Sequence, residues 1–179
     1  MHFSFTYDLA LRLRSLPNSE EERAQFNWAG GLQRELAGFD RMWRISVIQG
    51  FVGRLEMHIN GLKLYVTLIS RRAIKRGGTQ SYARGIDEDG NAGNYVETEQ
   101  IILIKDYYFS FLMVRGSAPL FWKESKSSYG FVGVKCKGST EENYAALKRH
   151  LCLVQKRGGF NEIFLLNLLA ANKEEKKLV

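Results

Sequence analysis

Proline, cysteine and histidine are scarce in this 179-residue chain, which contains 2, 2 and 3 of them respectively. Two cysteines are too few for a disulfide framework, so the sequence indicates a reducing, cytosolic compartment and two buried structural thiols, Cys136 and Cys152. The histidines His2, His58 and His150 do not cluster with other metal ligands. We therefore expect no metal site and no cofactor, and we interpret His150 as a histidine of a helix surface or core.

Long hydrophobic runs are also missing. No stretch approaches the roughly 18 consecutive apolar residues that a membrane-spanning helix needs. Residues 1–6 show no basic region followed by an apolar run, so neither a signal peptide nor an anchor is indicated. Any membrane contact is expected to be peripheral, or to be made by a part of the protein outside this chain.

Aromatic residues and glycines, in contrast, are abundant, with 8 tyrosines, 11 phenylalanines and 17 glycines. They favour strands joined by glycine and Asn/Asp turns. The Asn60-Gly61 pair is typical of a two-residue hairpin turn. A strand is predicted at residues 3–7, and helical patterns follow near residues 8–13 and 26–36. Further short β-branched runs then predict a mostly antiparallel sheet: residues 45–52, 55–59, 62–69, 81–86, 95–104 and 108–114.

The last forty residues have a different pattern. Ser139 and Glu142 have the spacing of a capping box, and Gly158 follows two basic residues, as expected at a helix end. The apolar positions of this helix fall on one face: Tyr144, Leu147, Leu151 and Val154. Residues 163–170 are almost continuously apolar, which is typical of a strand buried on both faces of an α/β sheet. The whole chain therefore reads as an α+β protein.

The charges are unevenly distributed. The formal net charge is +7 and the pI is about 9.5, which favours an anionic partner such as nucleic acid, lipid headgroups or small phosphates. No acidic residue lies between Glu56 and Asp87, although this interval contains six basic residues: Lys63, Arg71, Arg72, Lys75, Arg76 and Arg84. Nucleic acid is not expected, because these bases are not interleaved with aromatic residues.

This basic segment has two interpretations. Arg71, Arg72, Lys75 and Arg76 could contact a phosphate or lipid headgroup, since guanidinium groups hold phosphate oxygens and the following Gly77-Gly78 amides could approach it. Alternatively, they form a solvated face whose bases pair with neighbouring acids. The sequence alone leaves both open.

The acidic stretch that follows is interpreted as a turn. Asp87, Asp89 and Asn91 have the spacing of the first calcium-loop ligands, but Ala92 and Thr98 stand where glycine and glutamate are required. Side chains that bond their own backbone explain this composition better.

No catalytic residue is predicted. A cysteine-dependent phosphatase needs a thiolate six residues before an arginine, on a loop of amides that faces the phosphate. The residues six positions after Cys136 and Cys152 are Glu142 and Gly158.

Three segments resemble the Sac domain of phosphoinositide phosphatases, the family that includes the synaptojanins. They are IQGF at 48–51; LISRR at 68–72 running through RGID at 84–87 to NYVETEQ at 94–100; and SF at 110–111 with RGSAPLFW at 115–122. Their order and spacing match too. Ala73, Gln80 and Met113 depart from the usual Ser, Arg and Gln, and the change at Gln80 removes a positive charge from the basic loop.

The resemblance implies a two-part Sac domain. Its amino-terminal subdomain is mostly antiparallel β with flanking helices, and its catalytic α/β subdomain hydrolyses phosphate from the inositol ring through a phosphocysteine. On this basis residues 1–122 form the amino-terminal subdomain, 123–138 a linker, and 139–179 the first helix and strand of a truncated catalytic subdomain. The Cys-x5-Arg motif is expected after Val179, and most of the shared residues are expected to hold the scaffold together.

Expected partners are therefore phosphoinositide headgroups or an anionic membrane surface, together with the catalytic Sac subdomain. The location implied by the family is cytoplasmic and peripheral to internal membranes, at the endoplasmic reticulum or Golgi. The alternative hypothesis is a non-catalytic module that binds anionic membranes or a partner protein through the basic segment.

Overall fold

The chain forms two compact units in a computed structural model that describes residues 24–40, 43, 46–78, 83–126, 132–159, 162–170 and 175–178. The first unit is Met1–Ile74 with Val96–Arg115, and the second is Lys75–Tyr95 with Gly116–Val179. The predicted strand at residues 3–7 and the helix after it lie outside the described residues. The predicted domain division at residues 122 and 138 stays a prediction.

A four-stranded antiparallel sheet dominates the first unit. Its strands lie in the order β1-β2-β3-β4, and a short helix, α1, precedes them. The elements are α1 Gly30–Glu35, β1 Gln49–Ile59, β2 Leu62–Arg72, β3 Val96–Ile104 and β4 Tyr107–Arg115. The predicted mostly antiparallel sheet of an α+β fold is therefore confirmed.

The turn between β1 and β2 is the predicted one. Asn60 and Gly61 have φ angles of 50° and 77°, the left-handed values that a tight hairpin turn requires, and Ile59 pairs with Leu62 across it. The sequence predicted two strands where β1 is one. Gly53, in the gap between the two predicted strands, lies within β1 beside the Phe51 ring, which fills the space a side chain would take.

Charged side chains share the core of the sheet with apolar ones. Ile69 and Arg71 are two residues apart on β2, so both point to the same face, and both are fully buried. Directly opposite Arg71 on β3, Glu97 places Oε2 3.4 Å from an Arg71 nitrogen, and the Phe26 ring centre lies 4.8 Å from the guanidinium carbon. Glu99, also buried, accepts a 2.5 Å hydrogen bond from the Ser110 hydroxyl on β4.

The second unit contains a two-stranded antiparallel sheet, a long helix and a short 3-10 turn: β5 Trp122–Lys126, β6 Val132–Cys136, α2 Thr140–Gly158 and the turn Glu175–Leu178. Residues 123–138, predicted as a linker, thus contain most of a hairpin. Among the described residues, no helix combines the length and the apolar composition that crossing a bilayer requires.

The capping box of α2 is confirmed. The Glu142 amide donates to the Ser139 hydroxyl at 3.2 Å, and the Ser139 amide donates to the Glu142 carboxylate at 2.7 Å. Gly158 is the last helical residue, and Gly159, with φ of 65°, provides the left-handed stop one position later than expected. The helix buries Ala146 and Val154, and the predicted core residue Tyr144 is exposed.

Two predicted strands do not occur in the part of the chain that the structure describes. Residues 83–86, the described part of the predicted strand 81–86, form only an isolated bridge between Ile86 and Ala92, because this segment folds back in a tight turn. Residues 163–170 have no regular secondary structure, and Phe164 is 91% exposed. An apolar run forms a strand only where a neighbour accepts its backbone hydrogen bonds, and no described strand pairs with it.

We expect the Arg71–Glu97 pair to contribute strongly to stability. Glu97→Gln leaves the buried guanidinium beside a neutral amide, and removing one partner of a buried pair costs about 3–5 kcal/mol of unfolding free energy. Urea denaturation of the whole chain measures this. Glu56→Gln is the matched control, because its carboxylate pairs with Lys63 at 2.9 Å on the solvent-exposed surface of the same sheet. Similar losses for both variants would contradict the account.

Candidate functional site

Arg71 lies inside the first unit. Its side chain is 0% exposed and is enclosed by Glu97 and the Phe26 ring. A ligand in solvent cannot contact this guanidinium without displacing core residues. The pairing with an acid agrees with the second interpretation, but this pair is buried and not on a solvated face.

Arg72 ends β2 and points to the opposite face. Its Nη1 donates to the Gln49 side-chain oxygen at 3.3 Å, and Gln49 is its partner across the strands. The Arg72 carbonyl accepts a 3.0 Å hydrogen bond from the Trp28 indole. These contacts orient Arg72 while leaving it partly accessible.

Lys75 and Arg76 belong to the second unit, so the four candidate residues divide equally between the units. The Lys75 ammonium lies 3.4 Å from the Asp89 carboxylate, and its side chain is 57% exposed. Arg76 adopts a φ of 53° and donates from Nη2 to the Arg84 carbonyl at 2.7 Å. Lys75 is therefore the most accessible of the four, whereas one N–H donor of Arg76 is already bonded to a backbone carbonyl. Headgroup contact by all four stays a prediction.

The backbone of the basic segment is partly engaged. The Gly78 amide, proposed as a phosphate donor, donates to the Asn94 side chain at 3.3 Å. Asn94 also donates from Nδ2 to the Ala83 carbonyl at 3.2 Å and from its amide to the Arg76 carbonyl at 3.1 Å. Asn94 thus ties the basic segment to the start of the acidic turn.

The acidic turn is organised by its own side chains, as predicted. Asp87 Oδ1 accepts hydrogen bonds from the Asn91 backbone amide at 2.7 Å and from its side chain at 3.0 Å. An open cavity of about 460 Å³ is lined by Asp87, Glu88, Asp89 and Phe121. Three carboxylates repel a phosphate, so this cavity has the wrong sign for one. No group of metal-ligating side chains occurs in the part of the chain that the structure describes.

Helix α2 packs against this turn through His150. The ring Nδ1 lies 2.8 Å from the Gly90 carbonyl and must therefore carry the proton, and the Tyr95 ring meets the imidazole edge-on at 6.3 Å. Gly90 has a φ of 88°, and a side chain there would come within 2.9 Å of the His150 amide. Burial lowers the pKa of His150 below its usual 6.5, although the Gly90 carbonyl opposes this effect.

The shared motif residues mostly bond one another. In the second unit the Gly85 amide donates to the Ser117 hydroxyl at 2.7 Å, and Arg84 donates to the Glu124 carboxylate at 2.7 Å. In the first unit Ser70 and Thr98 hydroxyls lie 3.1 Å apart. These contacts join the motif around residue 84 to the one around 117, and the motif around 70 to the one around 98.

The cysteines are not buried, contrary to expectation. Cys136 ends β6, where its thiol donates to the Lys177 carbonyl at 3.3 Å, and both thiols are exposed. Cys152 lies two residues before the buried Val154, which places it roughly 200° around the helix on the solvent side. The expectation of buried thiols came from how often free cysteines are buried in proteins. Helical periodicity would have indicated that Cys152 points outward.

Sequence reasoning also missed the buried carboxylates Glu97 and Glu99. Strand alternation would have indicated their burial. Positions 97, 99 and 101 share one face of β3, and the apolar Ile101 marks that face as the inner one. The same alternation places Arg71 with Ile69 on the inner face of β2.

The sequence matches the SacI homology domain family over residues 1–179. It is 32% identical to phosphoinositide phosphatase SAC5 of Arabidopsis thaliana, over 98% of this chain and 24% of that protein. It is also 32% identical to phosphatidylinositol-3-phosphatase SAC1 of Saccharomyces cerevisiae, over 94% of this chain and 29% of the relative. Synaptojanin-2 of Homo sapiens is 32% identical over 76% of this chain and 9% of its own length. The chain spans less than a third of these relatives.

The contact at His150 predicts a pH-dependent stability. Because its pKa is lower in the folded than in the unfolded chain, the stabilisation by the neutral ring is complete above pH 6.5 and is lost as the pH falls towards the folded-state pKa. His150→Asn keeps an N–H donor for the Gly90 carbonyl but cannot titrate. Urea denaturation at about pH 7.5 and about pH 5.5 measures how much unfolding free energy is lost between these two pH values. We expect this loss to be smaller for the variant than for the unmodified chain. Equal losses would rule out this role of His150.

Proposed function

Since this chain belongs to the SacI homology domain family, as its motif segments indicated, we propose that it is part of a phosphoinositide phosphatase that removes phosphate from the inositol ring of phosphatidylinositol phosphates. The observation that carries the proposal is the family match along all 179 residues. The names of two relatives, a phosphoinositide phosphatase and a phosphatidylinositol-3-phosphatase, support this substrate class.

The chain itself contributes scaffold to that activity. A phosphocysteine route requires a thiolate opposite a guanidinium, and no cysteine in these 179 residues is followed six positions later by arginine. Cys136 and Cys152 also lie on a strand end and within a helix, where no loop of amides faces them. We propose that a catalytic Sac subdomain supplies the nucleophile, and that this chain is inactive alone.

A phosphate-release assay tests that proposal. We expect the purified chain to release no phosphate from phosphatidylinositol monophosphates in vesicles, with or without a metal chelator, because it has no activated thiolate. The yeast relative assayed on the same vesicles is the positive control. Turnover that disappears in Cys136→Ser or Cys152→Ser would contradict the proposal and would identify the nucleophile.

Lys75 is the most accessible residue of the proposed headgroup contact. Its ion pair with Asp89 is solvent-exposed on both sides, and exposed pairs are weak enough to exchange for a phosphate. One nitrogen of the Arg76 guanidinium donates to the Arg84 carbonyl, and the same guanidinium has further N–H donors. Arg71 and Arg72 belong to the other unit; Arg72 stays a predicted contact, whereas Glu97 and the Phe26 ring enclose the Arg71 guanidinium, so we expect no headgroup contact from it.

A second candidate function is a non-catalytic module that binds an anionic membrane or a partner protein. The interval from residue 57 to 86, which contains six bases and no acid, favours it. The phosphatase and the membrane-binding module would both act at a cytoplasmic membrane surface, and family resemblance favours the endoplasmic reticulum or Golgi.

Charge removal tests the membrane contact. Each base near an anionic bilayer contributes about 1 kcal/mol, so the double variant Lys75→Gln, Arg76→Gln should weaken co-sedimentation with phosphatidylserine vesicles at low salt by about thirtyfold. Lys123→Gln, an exposed lysine of the same unit, is the matched control and should lose less. If the double variant binds like the unmodified chain, the basic segment is not a membrane contact.

A further inference from the structure

Two stretches of the second unit run side by side next to the basic segment. The Gly93 amide donates to the Gly85 carbonyl at 2.8 Å, so the backbone of residues 93–94 lies along that of residues 83–85. Glycine makes this approach possible, because a side chain at position 93 would collide with the Ala83 carbonyl. The residue after Gly93 is thereby held close to the basic segment.

That residue is Asn94, and it bonds three backbone groups of the second unit. Its amide donates to the Arg76 carbonyl at 3.1 Å, and its side-chain oxygen accepts from the Gly78 amide at 3.3 Å. Its side-chain nitrogen donates to the Ala83 carbonyl at 3.2 Å. Asn94 therefore joins residues 76–78 to residues 83–84, and we call these two stretches together the neck.

The two sides of the neck also contact each other directly. The Arg76 guanidinium donates from Nη2 to the Arg84 carbonyl at 2.7 Å. A Cβ placed on Gly78 would lie 3.4 Å from the Ala83 methyl group, which is van der Waals distance. Lys75, whose side chain is 57% exposed, comes immediately before the neck.

The backbone of Arg76 shows what the neck has to hold in place. Its φ of 53° lies in the left-handed region, which is unfavourable for an arginine. Such a conformation persists only where the surrounding contacts determine it. Here the Arg76 carbonyl accepts from Asn94 while its side chain bonds Arg84, so the backbone is held from both sides.

The chemistry of this position selects asparagine. Asn94 also has a φ of 53°, where glycine, asparagine and aspartate are the usual residues. Glycine has no side chain for the Gly78 amide or the Ala83 carbonyl, and an ionised aspartate has no N–H for the Ala83 carbonyl. Of the three residues, asparagine alone combines the backbone conformation with one acceptor and one donor.

We propose that Asn94 is a positioning residue for the basic segment. It holds the neck so that Lys75 and Arg76 meet the phosphate of an anionic lipid headgroup in an arrangement that the chain has already formed. A segment that is ordered beforehand avoids the entropic cost of ordering on binding. The inference rests on the proposed headgroup contact, and Asn94 is not among the four residues predicted for it.

Replacing Asn94 by glycine tests the inference. Asn94→Gly tolerates the same φ and keeps the amide that donates to Arg76, so only the two side-chain bonds are lost. Co-sedimentation with phosphatidylserine vesicles at low salt should weaken by about tenfold. The comparison uses a temperature at which circular dichroism shows every variant to be folded. Unchanged binding of Asn94→Gly overturns the proposal.

The matched control is Asn143→Ala. Asn143 also bonds three backbone groups of the second unit through its side chain, and none of them lies in the neck: the Phe121 amide and the Lys137 and Ser139 carbonyls. This variant should unfold at a lower temperature and bind the vesicles normally. Equal weakening by Asn143→Ala and Asn94→Gly overturns the proposal, since binding would then follow stability alone.

A double-mutant cycle separates positioning from a merely structural role. In the background Lys75→Gln, Arg76→Gln, adding Asn94→Gly should change vesicle binding by less than about twofold, because no charge is left to position. The same tenfold loss in both backgrounds overturns the inference and leaves the headgroup contact standing. If removing the two charges alone has no effect, the headgroup contact itself has failed and the inference fails with it.

A second measurement needs no variant and therefore stays informative if Asn94→Gly misfolds. In the unmodified chain, NMR should show that the Gly78 amide exchanges with water more slowly than an unstructured glycine amide, because it is bonded to Asn94. Adding soluble inositol trisphosphate should change this rate by less than about twofold. An amide that becomes protected only after the addition means that the anion orders the neck, which overturns the proposal.

Discussion

The buried ion pair between Arg71 and Glu97 is the interaction on which the sheet of the first unit depends. A buried charge requires a partner, so the guanidinium on β2 and the carboxylate on β3 must meet across the strands. A one-residue slip would turn every side chain of a strand to the other face and leave both charges uncompensated. We therefore expect the pair to favour the observed register, and the Phe26 ring covers it.

In the second unit, several separate side-chain hydrogen bonds join distant segments of the chain. Gly85 bonds Ser117, Arg84 bonds Glu124, and His150 of the long helix bonds Gly90 of the acidic turn. Within each unit, some residues of the family motifs bond one another, as Arg71 does with Glu97 and Gly85 with Ser117. The chain thus carries motifs of the SacI homology domain family, and neither of its cysteines is followed six positions later by arginine.

Local patterns predicted local structure. Turn chemistry at Asn60 and the capping box at Ser139 depend on neighbours in sequence, and the structure confirms both. Burial was harder to predict because it depends on distant partners. The apolar run 163–170 indicated a buried strand, yet no described strand pairs with it, and the charge of Arg71 concealed its place in the core. Composition located the candidate phosphate-binding segment, but only tertiary contacts distinguish the accessible Lys75 from the enclosed Arg71.

The central claim, that Arg71 belongs to the scaffold, is tested most directly by nitrogen-15 NMR of the arginine side chains. In the folded chain the guanidinium protons of Arg71 should exchange slowly with water, and a soluble inositol phosphate should leave their resonances unchanged. Fast exchange, or a shift of the Arg71 resonances on titration that matches a binding curve, would contradict the account.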